Sequence, residues 1–167
     1  MVAAFDRWPP LQVSTLEAKL DELVTLMQRD GRQLPDDARS WLARLLVIRS
    51  CGYIEQTVVE VQRAYVNAKS GGRVRSFASS WLDKSRNPSP ERLSEALARF
   101  DTNLRDDFDE FMEKDDQRLY RELHFLVDRR NKIAHGLNEG ITPTRALKLA
   151  AVSKEISEWF ILRLRPD

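Results

Sequence analysis

The chain has 167 residues, 42% of them hydrophobic, with 27 basic against 26 acidic side chains and a net charge of +1. That size fits one domain with its own core, and the hydrophobic share excludes a disordered chain. The near-zero net charge excludes a protein that coats nucleic acid through a global basic surface, so any RNA-facing surface would have to be a local patch.

Cys51 is the single cysteine and sits among apolar neighbours, which reads as a small core residue in a reducing compartment. The opening "MVAAFDRWPP" lacks a basic start followed by an apolar core, and no apolar run approaches a membrane span. A cytoplasmic protein without membrane contact is the expectation.

The elements read in chain order are helices. Ser14 followed by Glu17 reads as a capping box, with Leu16, Leu20, Leu23, Val24 and Met27 as one stripe up to Gly31. "LPDDARSW" opens a long second helix, with Asp36 and Asp37 at the positive end of its dipole. Its expected core stripe is Trp41, Leu45, Ile48, Cys51, Ile54, Val58, Val61 and Tyr65, and Gly52 marks close packing or a bend. "RVRSFASSWLDK" reads as a short helix. "NPSP" is a break, with Ser89 as N-cap and Pro90 in the first helical position. A helical period then runs from Leu93 to Phe111 with a break near Asp101, and "EKDDQ" starts a further helix that ends at Gly136. Thr142 and Pro143 open the last helix, with Leu149, Val152, Ile156, Trp159 and Phe160 inward.

No strand pattern, internal repeat or low-complexity tract competes with this reading. The expected fold is all-α, an antiparallel bundle of four to six helices with short connections. Residues 1–167 form a single domain, with residues 1–34 as an N-terminal helical extension.

One helix end carries an excess of polar chemistry, "LVDRRNKIAHG", Leu126 to Gly136. Leu119, Leu123, Leu126, Ile133 and Leu137 follow a helical period with one place missing, and Arg130 fills it. A core-facing arginine is costly unless it is paired or faces a cavity or partner. Arg129 is rotated by about 100° and expected in solvent. Asn131 and His135 are a turn apart on one face. On pattern alone two readings stay open. An arginine in a stripe more often snorkels or pairs with a core-edge carboxylate such as Glu55, and a histidine at a helix end is more often a cap. The other reading is a bound anionic group on which both side chains converge.

The segment "RNKIAHG" resembles the signature of the HEPN superfamily: an arginine, four to six residues, then a histidine, with a polar residue after the arginine. The long helix with "IRSCGYIEQTVVEV" resembles the second helix of the branch called RiboL-PSP HEPN, where an acidic residue often stands at the place of Glu55. The resemblance spans Asp36 to Arg163 and leaves the first helix outside. It implies a homodimer whose paired motifs face one cleft, and metal-independent endoribonuclease activity on an RNA substrate. In that carry-over Arg130 and His135 are catalytic, Asn131 assists them, and Glu55 supports as an orienting carboxylate. It also implies a toxin or phage-defence effector restrained by an antitoxin or defence-system partner. One departure is Leu137, where related toxins often carry a modified tyrosine, so that mode of control is not carried over.

RNA is cut without metal when its 2′-hydroxyl attacks the adjacent phosphorus, given a base, a cation for the phosphorane charge and an acid for the leaving 5′-oxygen. Histidine and arginine suit those tasks, and a two-fold dimer brings two of each to one cleft. No cofactor and no metal is expected. His124 lies eleven residues before His135, about 16 Å along a helix, and Asp128 alone is too little to complete a metal site with it. The acidic runs "DDFDE" and "EKDD" read as solvated faces, and "SGGR" is too short for a phosphate-binding loop. Arg73, Arg75, Arg163 and Arg165 are candidates for a local RNA-facing patch, though they read first as scattered solvated charges. The alternative function is a non-catalytic HEPN module that dimerises or binds a nucleotide or RNA through the same residues.

Overall fold

The computed structural model describes residues 7–82, 87–137 and 140–166. Among them are six helices and no strand: α1 (Leu11–Arg29), α2 (Asp36–Lys69), α3 (Gly72–Leu82), α4 (Pro90–Ala98), α5 (Thr102–Ala134) and α6 (Pro143–Arg163). The fold is an all-α helical bundle, as the patterning predicts.

Local chemistry sets most helix ends. Ser89 accepts from the Arg92 N–H, Asp101 from Asn103 and Thr142 from Arg145, and a proline follows Ser89 and Thr142 at the first helical position. α1 departs from expectation. It starts at Leu11, with Pro10 as N-cap and no side-chain cap, so Ser14 and Glu17 lie inside the helix. The extended backbone of Pro10 supplies the entry, and its carbonyl accepts from Val13 and Ser14. α5 is two helical limbs joined by a turn at Lys114–Gln117, where Asp115, Asp116 and Gln117 take positive φ. The "EKDDQ" boundary therefore falls where the sequence places it.

α2 is the spine, and α1, α5 and α6 pack against it. At two helix pairs the contacts run in opposite chain directions. Trp8 donates to the Ile161 carbonyl while Lys154 pairs with Asp21, so α1 and α6 are antiparallel. Arg163–Asp107, Arg118–Glu155 and Arg145–Glu122 make α5 and α6 antiparallel too. Val13, Leu20 and Met27 of α1 are buried in the common core. An aromatic cluster of Phe108, Phe111, Trp159 and Phe160 closes one end, with ring centroids 5.0 Å apart for Phe108 and Trp159. α3 buries no residue and packs mainly against α2.

The core face of α2 differs from the expected stripe. Leu46, Val47, Cys51, Ile54, Val58 and Val61 are buried, whereas Trp41, Leu45 and Ile48 are exposed, Trp41 to 65%. The N-terminal half of α2 is apolar on two faces, and only packing decides which one the bundle covers. Gly52 does not mark close packing, since a Cβ there would meet nothing within 4 Å.

Candidate functional site

The left-handed turn at Lys114–Gln117 resets the register of the second limb of α5. Leu119, Leu123, Leu126 and Val127 then face the core. Arg130 takes the next place on that stripe and meets α2. Its Nη2 lies 3.4 Å from Glu55 Oε2 and its Nη1 donates to Asn131 Oδ1 at 3.1 Å. The side chains of Arg130 and Glu55 are 27% and 16% exposed, so the pair is sheltered but reachable. Burial pushes the Glu55 carboxyl above its ordinary value, and the Arg130 charge only partly offsets this. Cys51, one turn earlier, lies near enough to the Arg130 charge for it to favour the thiolate. Burial nevertheless keeps its thiol raised, which suits a core residue and not a nucleophile.

His135 is the C-cap of α5 and is exposed. Gly136 takes φ +73, which lets its N–H reach the Ile133 carbonyl and lets Leu137 reach that of Lys132. Those two bonds form a Schellman cap, so the chain turns away and leaves the imidazole at the rim. Asn131 is one turn before His135, and its carbonyl accepts the His135 N–H at 3.0 Å. Its side chain, however, serves Arg130. Arg130 and His135 stand about 140° apart around the helix axis. One chain thus joins Arg130, Asn131 and Glu55 directly, with His135 a turn beyond.

Several neighbours differ from expectation. Arg129 is half-buried, with its guanidinium 4.8 Å over the Phe125 ring, which Arg145 also covers at 4.3 Å. His124 accepts or donates a 2.7 Å hydrogen bond with Glu91 and lies against Tyr120, tying α5 to α4. Arg73 and Arg75 stand on α3, while Arg163 pairs with Asp107 and covers Trp159. The four arginines do not form one patch, because α3 and α6 do not meet. Among the described residues no group of three or more His, Cys, Asp or Glu side chains could hold a metal ion, and no helix is long and apolar enough to cross a membrane.

The feature that sequence reasoning missed is an alignment on α2. Trp41, Leu45, Ile48, Gly52 and Glu55 step by four and three residues, which keeps them within about an 80° arc of the helix. An exposed apolar stripe therefore leads straight to the carboxylate that holds Arg130. The spacing was legible; its exposure was not.

The RiboL-PSP-HEPN family model matches residues 14–160, and the chain belongs to that family. The match takes in α1 from Ser14 onward, which the resemblance read from the sequence left outside. Searches of curated proteins and of solved structures return no match. Domains of this family are frequently ribonucleases or otherwise RNA-related.

Proposed function

We propose that the protein is a metal-independent endoribonuclease that works as a homodimer, a toxin or phage-defence effector held in check by an antitoxin or defence-system partner. The observation that carries this reading is the sheltered Arg130–Glu55 pair, with the open His135 imidazole one turn further along the same helix.

In this reading Glu55 and Asn131 orient the Arg130 fork toward a phosphate, whose negative charge grows as the 2′-oxygen attacks phosphorus. One imidazole takes the 2′-hydroxyl proton and another protonates the leaving 5′-oxygen. The products are a 2′,3′-cyclic phosphate and a 5′-hydroxyl. One chain has one such histidine, so the second comes from a second copy. The exposed stripe Trp41–Leu45–Ile48 is the surface on which that copy packs, because it ends at Glu55 and a two-fold contact along it brings both motifs to one cleft.

The test is incubation of the purified protein with RNA in EDTA beside His135→Ala. Cleavage by the wild type alone, with 2′,3′-cyclic phosphate ends, is expected; no cleavage, or equal cleavage by both, refutes the reading. A non-catalytic RNA- or nucleotide-binding module is the second reading. It is favoured by Arg130 being engaged by Glu55 and Asn131 within its own chain. That module would leave growth unchanged on expression, whether or not His135 is replaced.

A further inference from the structure

The same face of α2 continues past Glu55. Val59, Gln62, Val66 and Lys69 extend the four-and-three spacing and line a cavity of about 700 Å³ between α2, α3 and α4. Glu55 itself closes one end of it, so the cavity and the Arg130 site share a wall. Its volume is that of a small-molecule or nucleotide pocket rather than a packing defect.

The lining combines three chemistries. Tyr65, Trp81 and Phe100 supply aromatic surface; Tyr65 and Phe100 meet edge to face, while Trp81 is 51% exposed. Lys69, Arg92 and Arg99 supply positive charge, with the Arg99 guanidinium 5.9 Å from the Trp81 ring. Gln62 supplies a buried amide: the residue is 4% exposed, and its Nε2 has no hydrogen-bond partner among the described residues. A buried donor left unpaired carries a desolvation cost that a ligand acceptor would remove. Flat apolar surface, an unpaired amide and cations together match an unstacked nucleobase: its faces stack, its edge accepts, and its phosphate carries the negative charge. An acyl chain would leave the buried amide unanswered.

We propose that this cavity seats a base of the RNA strand flanking the scissile phosphate, and so determines which nucleotide stands beside the cut. The inference rests on the ribonuclease reading above for the word "scissile", and on the cavity alone for base binding. α2 then carries three functions in line: partner contact in its first half, phosphate positioning at Glu55, and base selection in its second half.

The test uses the full chain carrying His135→Ala, titrated into short fluorescein-labelled poly(A), poly(C) and poly(U) oligonucleotides and followed by anisotropy. Unequal affinities are expected. Trp81→Ala and Arg99→Ala, both at exposed positions, should each weaken the preferred oligonucleotide by about tenfold and narrow the differences among the three. Circular dichroism confirms that each variant is folded. In the His135-containing protein, Trp81→Ala should cut the same RNA with broadened preference at the flanking base. Unchanged affinity and preference in both folded variants overturns the proposal, and so does failure of the parent to bind any of the three. Wild-type cleavage with a Trp81→Ala pattern identical to it overturns the cavity and spares the ribonuclease. Cavity-dependent binding without any cleavage supports the cavity and rejects the ribonuclease.

Discussion

Glu55→Gln separates charge from hydrogen bonding at the Arg130 site. At 3.4 Å and an effective dielectric near 20, the attraction between the two charges is about 5 kcal/mol. The Glu55 carboxyl is nevertheless raised, so desolvation of the ionised form outweighs that attraction. In the folded state the group therefore keeps its proton to a higher pH than in the unfolded chain. Its contribution to stability is fully present below the ordinary carboxyl value of 4.5 and is lost as pH rises through the raised folded value. A glutamine keeps an acceptor for Arg130 and removes that loss. The expected melting temperature of Glu55→Gln matches the wild type near pH 4 and exceeds it at neutral pH. Glu55→Ala instead strips a sheltered guanidinium of one partner, at about 2 kcal/mol and ~4–8 °C. Thermal unfolding of the three proteins across this pH range is the assay. A glutamine variant as unstable as the alanine variant at neutral pH, or a difference from wild type that does not change with pH, would refute the argument.

His135→Ala should lose cleavage by about a hundredfold or more while its melting temperature stays within ~2 °C, because the imidazole is exposed at a helix end. Gly136→Ala forces an alanine to φ +73 and should cost about 1 kcal/mol, read as a lower melting temperature. Ile48→Glu places a charge in the middle of the exposed α2 stripe; light scattering should show a monomer, with cleavage falling in parallel, and a persistent dimer would place the interface elsewhere. Hydrogen bonds from Tyr120, its own backbone N–H, Ser89 and His124 outweigh burial and hold the Glu91 carboxyl at about 2. Its stabilising effect is thus present above the ordinary carboxyl value and lost as pH falls toward 2. Glu91→Gln should be less stable than wild type at neutral pH and converge with it in strong acid, as followed by far-UV circular dichroism.

Sequence by itself determined what depends on residues near one another in the chain. Ser89, Asp101 and Thr142 cap helices because a side-chain oxygen two or three residues away reaches a free N–H. Gly136 ends α5 because it alone of the local residues takes the left-handed conformation freely. The place of Arg130 on the stripe followed from spacing, while the candidacy of Glu55 came from the resemblance of its helix to the family. Tertiary structure decided everything that spacing leaves ambiguous. Trp41, Leu45 and Ile48 have the period of a buried stripe yet face outward, because α2 is apolar on two faces and the bundle covers only one. Arg129 is drawn onto Phe125 beside Arg145, a residue from another helix. The cavity beside Glu55 is assembled from α2, α3 and α4, so no local window contains it. Helix periodicity states which side chains share a face; the packing of distant helices states what that face meets.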